Sequence, residues 1–471
     1  MATELWQQSA SSLAAMIAAR QTTSRAVIEA HLARIAAVNP AVNAVVTVLA
    51  DTALASADAA DQAVAAGTPL GPLHGVPITV KANIDLIGTP TTHGVPAFAA
   101  SFPTQDAPVV ERMKAAGAIP IGRTNLPDMA LRVHTDSALY GLSRNPFDGN
   151  RTTGGSSGGE GAALATGMSP LGLGNDIGGS LRNPAFACGI ASLKPTLGRI
   201  PFASAIEPQS PNLAAQLMAV EGPMARHVAD LRLALSVLAG PHVRDPLSVP
   251  APLTGPKPGP RPDARIRVAV VPAPPGGTTA PEISAGVRAA AAVLSDAGYD
   301  VAEVMPPMVE DAIQVWGHWL AWEFGLLADV LGQVMSKDAM GFFHSFAALQ
   351  GTSDFAASVA LQVRRHTIAR AWSAFFADYP IILGPTWCQP QFAHGFDIAG
   401  PDSAAQTLEL MRFVVPMNLL GLPVVCVPTG TANGLPLGVQ VIADRFREDL
   451  CLDAAEAIEA RLGHLTPIDP R

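Results

Sequence analysis

Between Gly154 and Leu181 the chain reads GGSSGGEGAALATGMSPLGLGNDIGGSL. Gly-Gly-Ser-Ser-Gly-Gly at one end and Asp-Ile-Gly-Gly-Ser at the other each set a serine among glycines, where the backbone can take positive φ and approach a ligand closely. Consecutive N–H groups around Ile177, Gly178, Gly179 and Ser180 would form an anion-binding concavity, which is what a tetrahedral oxyanion requires. A candidate base lies upstream. The chain has only five lysines among its 30 basic residues, and one of them, Lys81, sits in an apolar strand-like run. Arginine stays protonated, whereas a buried lysine can lose its proton and act as a base.

The elements that must position these groups follow from local pattern. Glu160 to Gly167 is alanine-rich and suits a short, tightly packed helix that brings the two serine loops together. Gly75 to Leu86 alternates, so that Ile78 and Val80 face one way while Thr79, Lys81, Asn83 and Asp85 face the other, on a polar face. Three other readings of the glycine-rich stretch are weaker. No G-x-x-x-x-G-K-[ST] phosphate loop is present, nor G-x-G-x-x-G after a strand. Gly155 to Gly159 satisfies G-x-S-x-G, but the polar, turn-like Phe147 to Thr153 precedes it where a nucleophile elbow needs a buried strand. A flexible linker would not carry Ala162, Leu164, Met168, Leu171 and Leu173.

Taken whole, the stretch resembles that of the amidase signature family, serine hydrolases that cut amide bonds with a Ser-Ser-Lys triad. Arg182, Asn183-Pro184, Cys188-Gly189 and Leu193-Lys194-Pro195-Thr196 extend the resemblance. It implies Ser156 as a bridging serine held by a cis peptide, Ser180, 24 positions later, as nucleophile, and Lys81 as base. It implies an oxyanion hole at Ile177, Gly178 and Gly179, with Ser157, Asp176 and Arg182 bracing the loops. Two positions depart from the family pattern: Ala82 follows the lysine where an acidic residue is usual, and Arg123 replaces a lysine in the Gly122–Asn125 element. The implied fold is a single α/β domain over residues 1–471, a central twisted mixed β-sheet with helices on both faces and a signature core at about 75–200. The implied activity is hydrolysis of a carboxylic amide, extending to esters or carbamates. The alternatives are a glutamine-hydrolysing amidotransferase subunit and a non-catalytic binding protein on the same fold.

Composition agrees with a chain that buries much of itself. Hydrophobic residues make up 49% and charged ones 15%, against about 25% charged in an average soluble domain. The formal charge of −9 is spread without blocks, which argues against nucleic acid or an anionic membrane as partner. No secretory signal or membrane span is expected, so the expected setting is cytoplasmic and the partner a small-molecule amide, with the chain a monomer or homodimer. Cys188, Cys388, Cys426 and Cys451 are far apart and the histidines scattered, so neither a metal nor another cofactor is expected.

Along the chain, residues 11–38 read as helix with Pro40 as stop, 43–50 as strand, 52–66 as helix and 117–125 as strand. Seven prolines lie between Asp245 and Asp263, marking a surface connection. A strand over 265–272 and a helix over 281–297 follow. The segments 381–385, 418–423, 424–428 and 435–440 read as short buried strands. Residues 300–370 lack the family resemblance and hold Trp316, Trp319 and Trp322 among phenylalanines and methionines. Their spacing fits a helix packed on the core; it also fits the wall of a substrate pocket, which would make the substrate bulky and apolar, such as an aryl amide.

Overall fold

Short runs rich in valine, isoleucine and leucine build the framework of the computed structural model, which describes residues 4–258, 265–351 and 354–471. In chain order the strands are β1 Val45–Val48, β2 Pro77–Lys81, β3 Ile119–Thr124, β4 Asp136–Ser137, β5 Gly141–Leu142, β6 Leu171–Asp176, β7 Ala191–Lys194, β8 Val220–Ala225, β9 Arg267–Val270, β10 Asp300–Glu303, β11 Ile381–Pro385, β12 Val424–Ala432 and β13 Leu435–Ala443. β4 and β5 pair only with each other; the rest form one sheet in the order β1-β3-β2-β6-β8-β7-β12-β13-β11-β9-β10. β2 runs parallel to β3 and β6, and β9 parallel to β10 and β11. The ladders from β6 through β8, β7, β12 and β13 to β11 are antiparallel, so the sheet is mixed.

Successive strand residues face opposite sides of a sheet, and here both sides are buried. Ile381 and Leu383 join an apolar cluster that includes residues of the helices Ala10–Ala18, Val228–Leu238, Pro281–Asp296 and Glu448–Leu462. Ile382, between them, joins another with the helices Val309–Leu326 and Phe355–Asp378. A third cluster packs the helices Ser24–Val42, Gly158–Ala165 and Arg182–Cys188 against Ile119 and Ile121. Helices therefore cover both faces of one α/β domain.

Some elements differ from the sequence reading. The expected helix over 11–38 is two, Ala10–Ala18 and Ser24–Val42, separated where Arg20 takes φ 57°. Pro40 does not stop the second helix but lies in its last turn, where its missing N–H costs one backbone bond. Asn39 ties the helix end to the next strand through its side-chain bonds to Ala44 and Val45. Residues 418–423 are not a strand: Pro416 opens a short helix, Pro416–Leu419, and Gly421 at φ 65° turns the chain into β12. β2 is an interior strand with both faces buried, so the polar face that carries Lys81 is enclosed. The described part of the proline-rich connection, 245–258, lacks helix and strand; 259–263 lie outside the described residues.

Candidate active site

The parallel strands β2 and β6 end side by side, placing Lys81 next to Asn175 and Asp176. Ligands of α/β sheets commonly gather at such C-terminal ends. Lys81 Nζ donates to Ser156 Oγ at 2.7 Å and to Asn175 Oδ1 at 2.6 Å. Lys81 is fully buried; burial lowers its pKa from 10.5 to about 7, against the opposing charges of Asp176, Glu160 and Glu221. The lysine is thus poised to exchange a proton near neutral pH.

The two serine loops meet as their glycines allow. The Gly155–Ser156 peptide is cis. Ser157 N–H donates to the Ser180 carbonyl at 3.3 Å. Asn183 clamps both loops, its Nδ2 donating to the Gly155 carbonyl at 3.2 Å and the Gly178 carbonyl at 3.3 Å. Ser157 Oγ reaches the Asn175 carbonyl at 3.5 Å, the outer limit for a hydrogen bond.

Asp176 organises the Ser180 loop. Its Oδ1 accepts from Gly179 N–H at 2.7 Å and its Oδ2 from Leu181 N–H at 3.1 Å. Arg182 grips the same carboxylate in two places, at 3.0 and 3.1 Å. Burial acts to raise the Asp176 pKa, but Arg182 and the Asn418 amide hold it well below the usual carboxylate range. One consequence corrects the sequence reading: Gly179 N–H is already engaged by Asp176. The N–H groups of Ile177, Gly178 and Ser180 have no acceptor among the described residues.

Sequence reasoning overlooked several supporting residues. Asn175 shares Lys81 with Ser156, and its own Nδ2 donates to Asn83 Oδ1 at 3.0 Å. Its place beside Asp176 at the strand end was the available signal. Glu160 is buried beneath the lysine and accepts from the Thr79 and Thr124 hydroxyls; burial raises its pKa to about 7. A Cβ on Gly172 would lie 1.7 Å from its Oε1, so only glycine admits that carboxylate. Asn418 bonds both Asp176 and Arg182 from more than 230 residues away, with no local signal to reveal it. Arg123, already noted from the sequence, is buried and donates to the Thr89 hydroxyl and to the Lys81 and Ile84 carbonyls.

Ser180 opens into a pocket of about 560 Å³, its mouth included, lined by Ala130, Leu131, Arg132, Val133, Ile177, Gly178, Trp316, Leu320, Phe324, Phe342, Phe343, Phe346, Leu408 and Met411. Arg132 is the charged member, and Asp397 neutralises it through bonds of 2.7 and 2.9 Å. Trp316 Nε1 donates to the Ile177 carbonyl at 3.0 Å, which fixes the indole against the loop. Trp319 and Trp322 do not line this pocket. They pack edge-on at 5.3 Å, Trp319 in the core. The helical turn of roughly 100° per residue puts 316, 320 and 324 on one side and 319 and 322 on another. The histidines are also less scattered than their spacing suggested: ligand atoms of His227, Glu459 and His464 lie within 4.8 Å of one another, away from the serines.

The amidase family model matches residues 26–452. The chain belongs to the amidase signature family. An indoleacetamide hydrolase of Bradyrhizobium diazoefficiens is 44% identical over 468 residues, covering 98% of this chain and 88% of that protein. An acylamidase of Rhodococcus erythropolis is 34% identical over 467 residues, 96% and 95% of the two chains. The crystal structure of a bacterial aryl acylamidase of the family superposes with a TM-score of 0.83 at 26% identity, over 97% of each chain. The protein is therefore an amidase-signature hydrolase acting on C–N bonds other than peptide bonds. No described helix is long and apolar enough to cross a membrane.

Proposed function

We propose that this amidase hydrolyses amides whose acyl part carries an aromatic or bulky apolar group, arylacetamides foremost, through an acyl-enzyme on Ser180. The observation that carries the reading is the aromatic-walled pocket opening onto Ser180. Its lining of aromatic and aliphatic side chains is typical of small-molecule sites. With Arg132 neutralised by Asp397, it offers no free charge for the ammonium or carboxylate of glutamine, and burying those unpaired would be costly. The 44% identity to an enzyme named indoleacetamide hydrolase supports the same substrate class.

The Lys81–Ser156 contact supports a two-serine proton relay. Neutral Lys81 accepts the Ser156 hydroxyl proton as Ser156 accepts that of Ser180, whose Oγ attacks the amide carbonyl. Negative charge gathers on the carbonyl oxygen, facing the N–H groups of Ile177, Gly178 and Ser180. Ser156 then protonates the departing nitrogen, the C–N bond breaks, and an ester on Ser180 remains. Water adds to that ester along the same relay and releases the carboxylic acid.

The test is kcat/KM of the purified chain, assayed alone, on indole-3-acetamide, phenylacetamide, 4-nitroacetanilide, acetamide and glutamine. The two arylacetamides should exceed acetamide, 4-nitroacetanilide and glutamine by at least about tenfold, the discrimination of roughly one buried methylene. Preference for glutamine would favour the amidotransferase reading and overturn this one.

A further inference from the structure

A second cleft, sharing no lining residue with the substrate pocket, lies between the helix Phe355–Asp378 and the turns at Leu420 and Arg445, and spans about 1070 Å³ with its open side. Three arginines, Arg365, Arg370 and Arg445, converge on it with His366, against a single carboxylate, Asp444. Its Oδ1 accepts from the Arg445 backbone N–H at 2.8 Å. The guanidiniums are held by neutral carbonyls: Arg365 donates to Leu419 at 2.7 Å and Leu217 at 3.3 Å, and Arg445 to Leu420 at 3.0 and 2.8 Å. Arg370 has no partner among the described residues. Carbonyl bonds orient these groups without cancelling their charge. Burial, with a smaller contribution from the nearby Arg445, lowers the Arg365 pKa to about 10.

Two further donors are unpaired. Trp372 Nε1 and Gln362 Nε2, both of cleft-lining residues, are buried without an acceptor, and Trp372 is 1% exposed. Leu420, Leu422 and the Trp372 ring supply an apolar floor.

We propose that this cleft is a binding site for a small organic anion, its carboxylate or phosphate held by Arg365, Arg370 and Arg445 and its apolar body resting on the floor around Trp372. Guanidinium forks suit both head groups.

Isothermal titration of the full chain with phenyl phosphate and, separately, with phenylacetate tests this. Saturable binding of at least one probe is expected, with Kd raised about tenfold or more, the loss of one charge-assisted contact, in Arg370→Gln and Arg445→Gln. Arg364→Gln, on the same helix but paired with Asp311, should bind as wild type. The probe that binds more tightly identifies the head group. Arg370 holds nothing else in the fold, so its variant remains decisive if Arg445→Gln is unstable. Absence of saturable binding by both probes, or affinity unchanged in Arg370→Gln, would overturn the proposal.

Discussion

Replacing Lys81 by arginine keeps the positive charge and removes the proton acceptor. Lowering the lysine pKa from 10.5 to about 7 corresponds to ~5 kcal/mol disfavouring the charged form. At pH 7 roughly half the molecules then carry a neutral Lys81, against about one in three thousand for an exposed lysine. Burial also raises the neighbouring Glu160 carboxyl to about 7. For the wild type, kcat/KM on the best amide should fall about tenfold per pH unit below roughly pH 6. Lys81→Arg and Lys81→Ala should both lose about 10²–10⁴ of rate at every pH from 6 to 9. Stability gives an independent check with a defined sign. The unfolded lysine holds its proton up to about pH 10.5 while the native one releases it above about 7, so this group makes the fold more stable as pH rises between those values. Lys81→Met should lack that rise in chemical denaturation. Retention of more than about a tenth of the rate in Lys81→Arg, or a flat wild-type profile from pH 5 to 8, would refute the reasoning.

Asp176→Asn should destabilise the chain by about 3–5 kcal/mol in urea unfolding, because it strands the buried Arg182 charge, and a loss under about 1 kcal/mol would contradict that reading. Trp316→Ala should raise KM for aryl amides about tenfold or more by removing a pocket wall, while Trp322→Ala leaves KM near wild type; equal effects would remove the distinction. Gly178→Ala should lower kcat by about 10² or more, since its Cβ would lie 2.5 Å from Trp316 Cζ2 beside the reacting carbonyl. Rate measurements on Gly178→Ala in a Trp316→Ala background should show partial recovery relative to the single variant.

The strands and the two serine loops were legible because each carries a local signal: alternation or an apolar run for the strands, glycine density for the loops. β11 spans Ile381–Pro385, as read from its apolar run. What escaped depends on residues distant in sequence. Alternation put Thr79 and Lys81 on a shared polar face, but their partners, Glu160 and Ser156, arrive on another element, so that face is interior. Asn418 lay hidden in an apolar run that read as strand, because its role depends on reaching Asp176 across the fold. The aromatic stripe was visible as a helix, but which tryptophan meets Ser180 depends on how that helix is rotated against the loop. The Trp316 bond to the Ile177 carbonyl fixes that rotation. The Gly179 N–H was assigned to the oxyanion from its place among glycines, whereas the adjacent Asp176 claims it as a turn cap.

The central claim, a nucleophile at Ser180 served by Ser156 and Lys81, is tested most directly by mapping the covalent adduct of an alkyl fluorophosphonate by peptide mass spectrometry. One adduct per chain on Ser180 is predicted, absent in Ser180→Ala and formed on the same residue about 10²–10⁴ more slowly in Ser156→Ala and Lys81→Met. An adduct on Ser156 or Ser157 in the wild type, or full labelling of Ser180→Ala, would contradict the account.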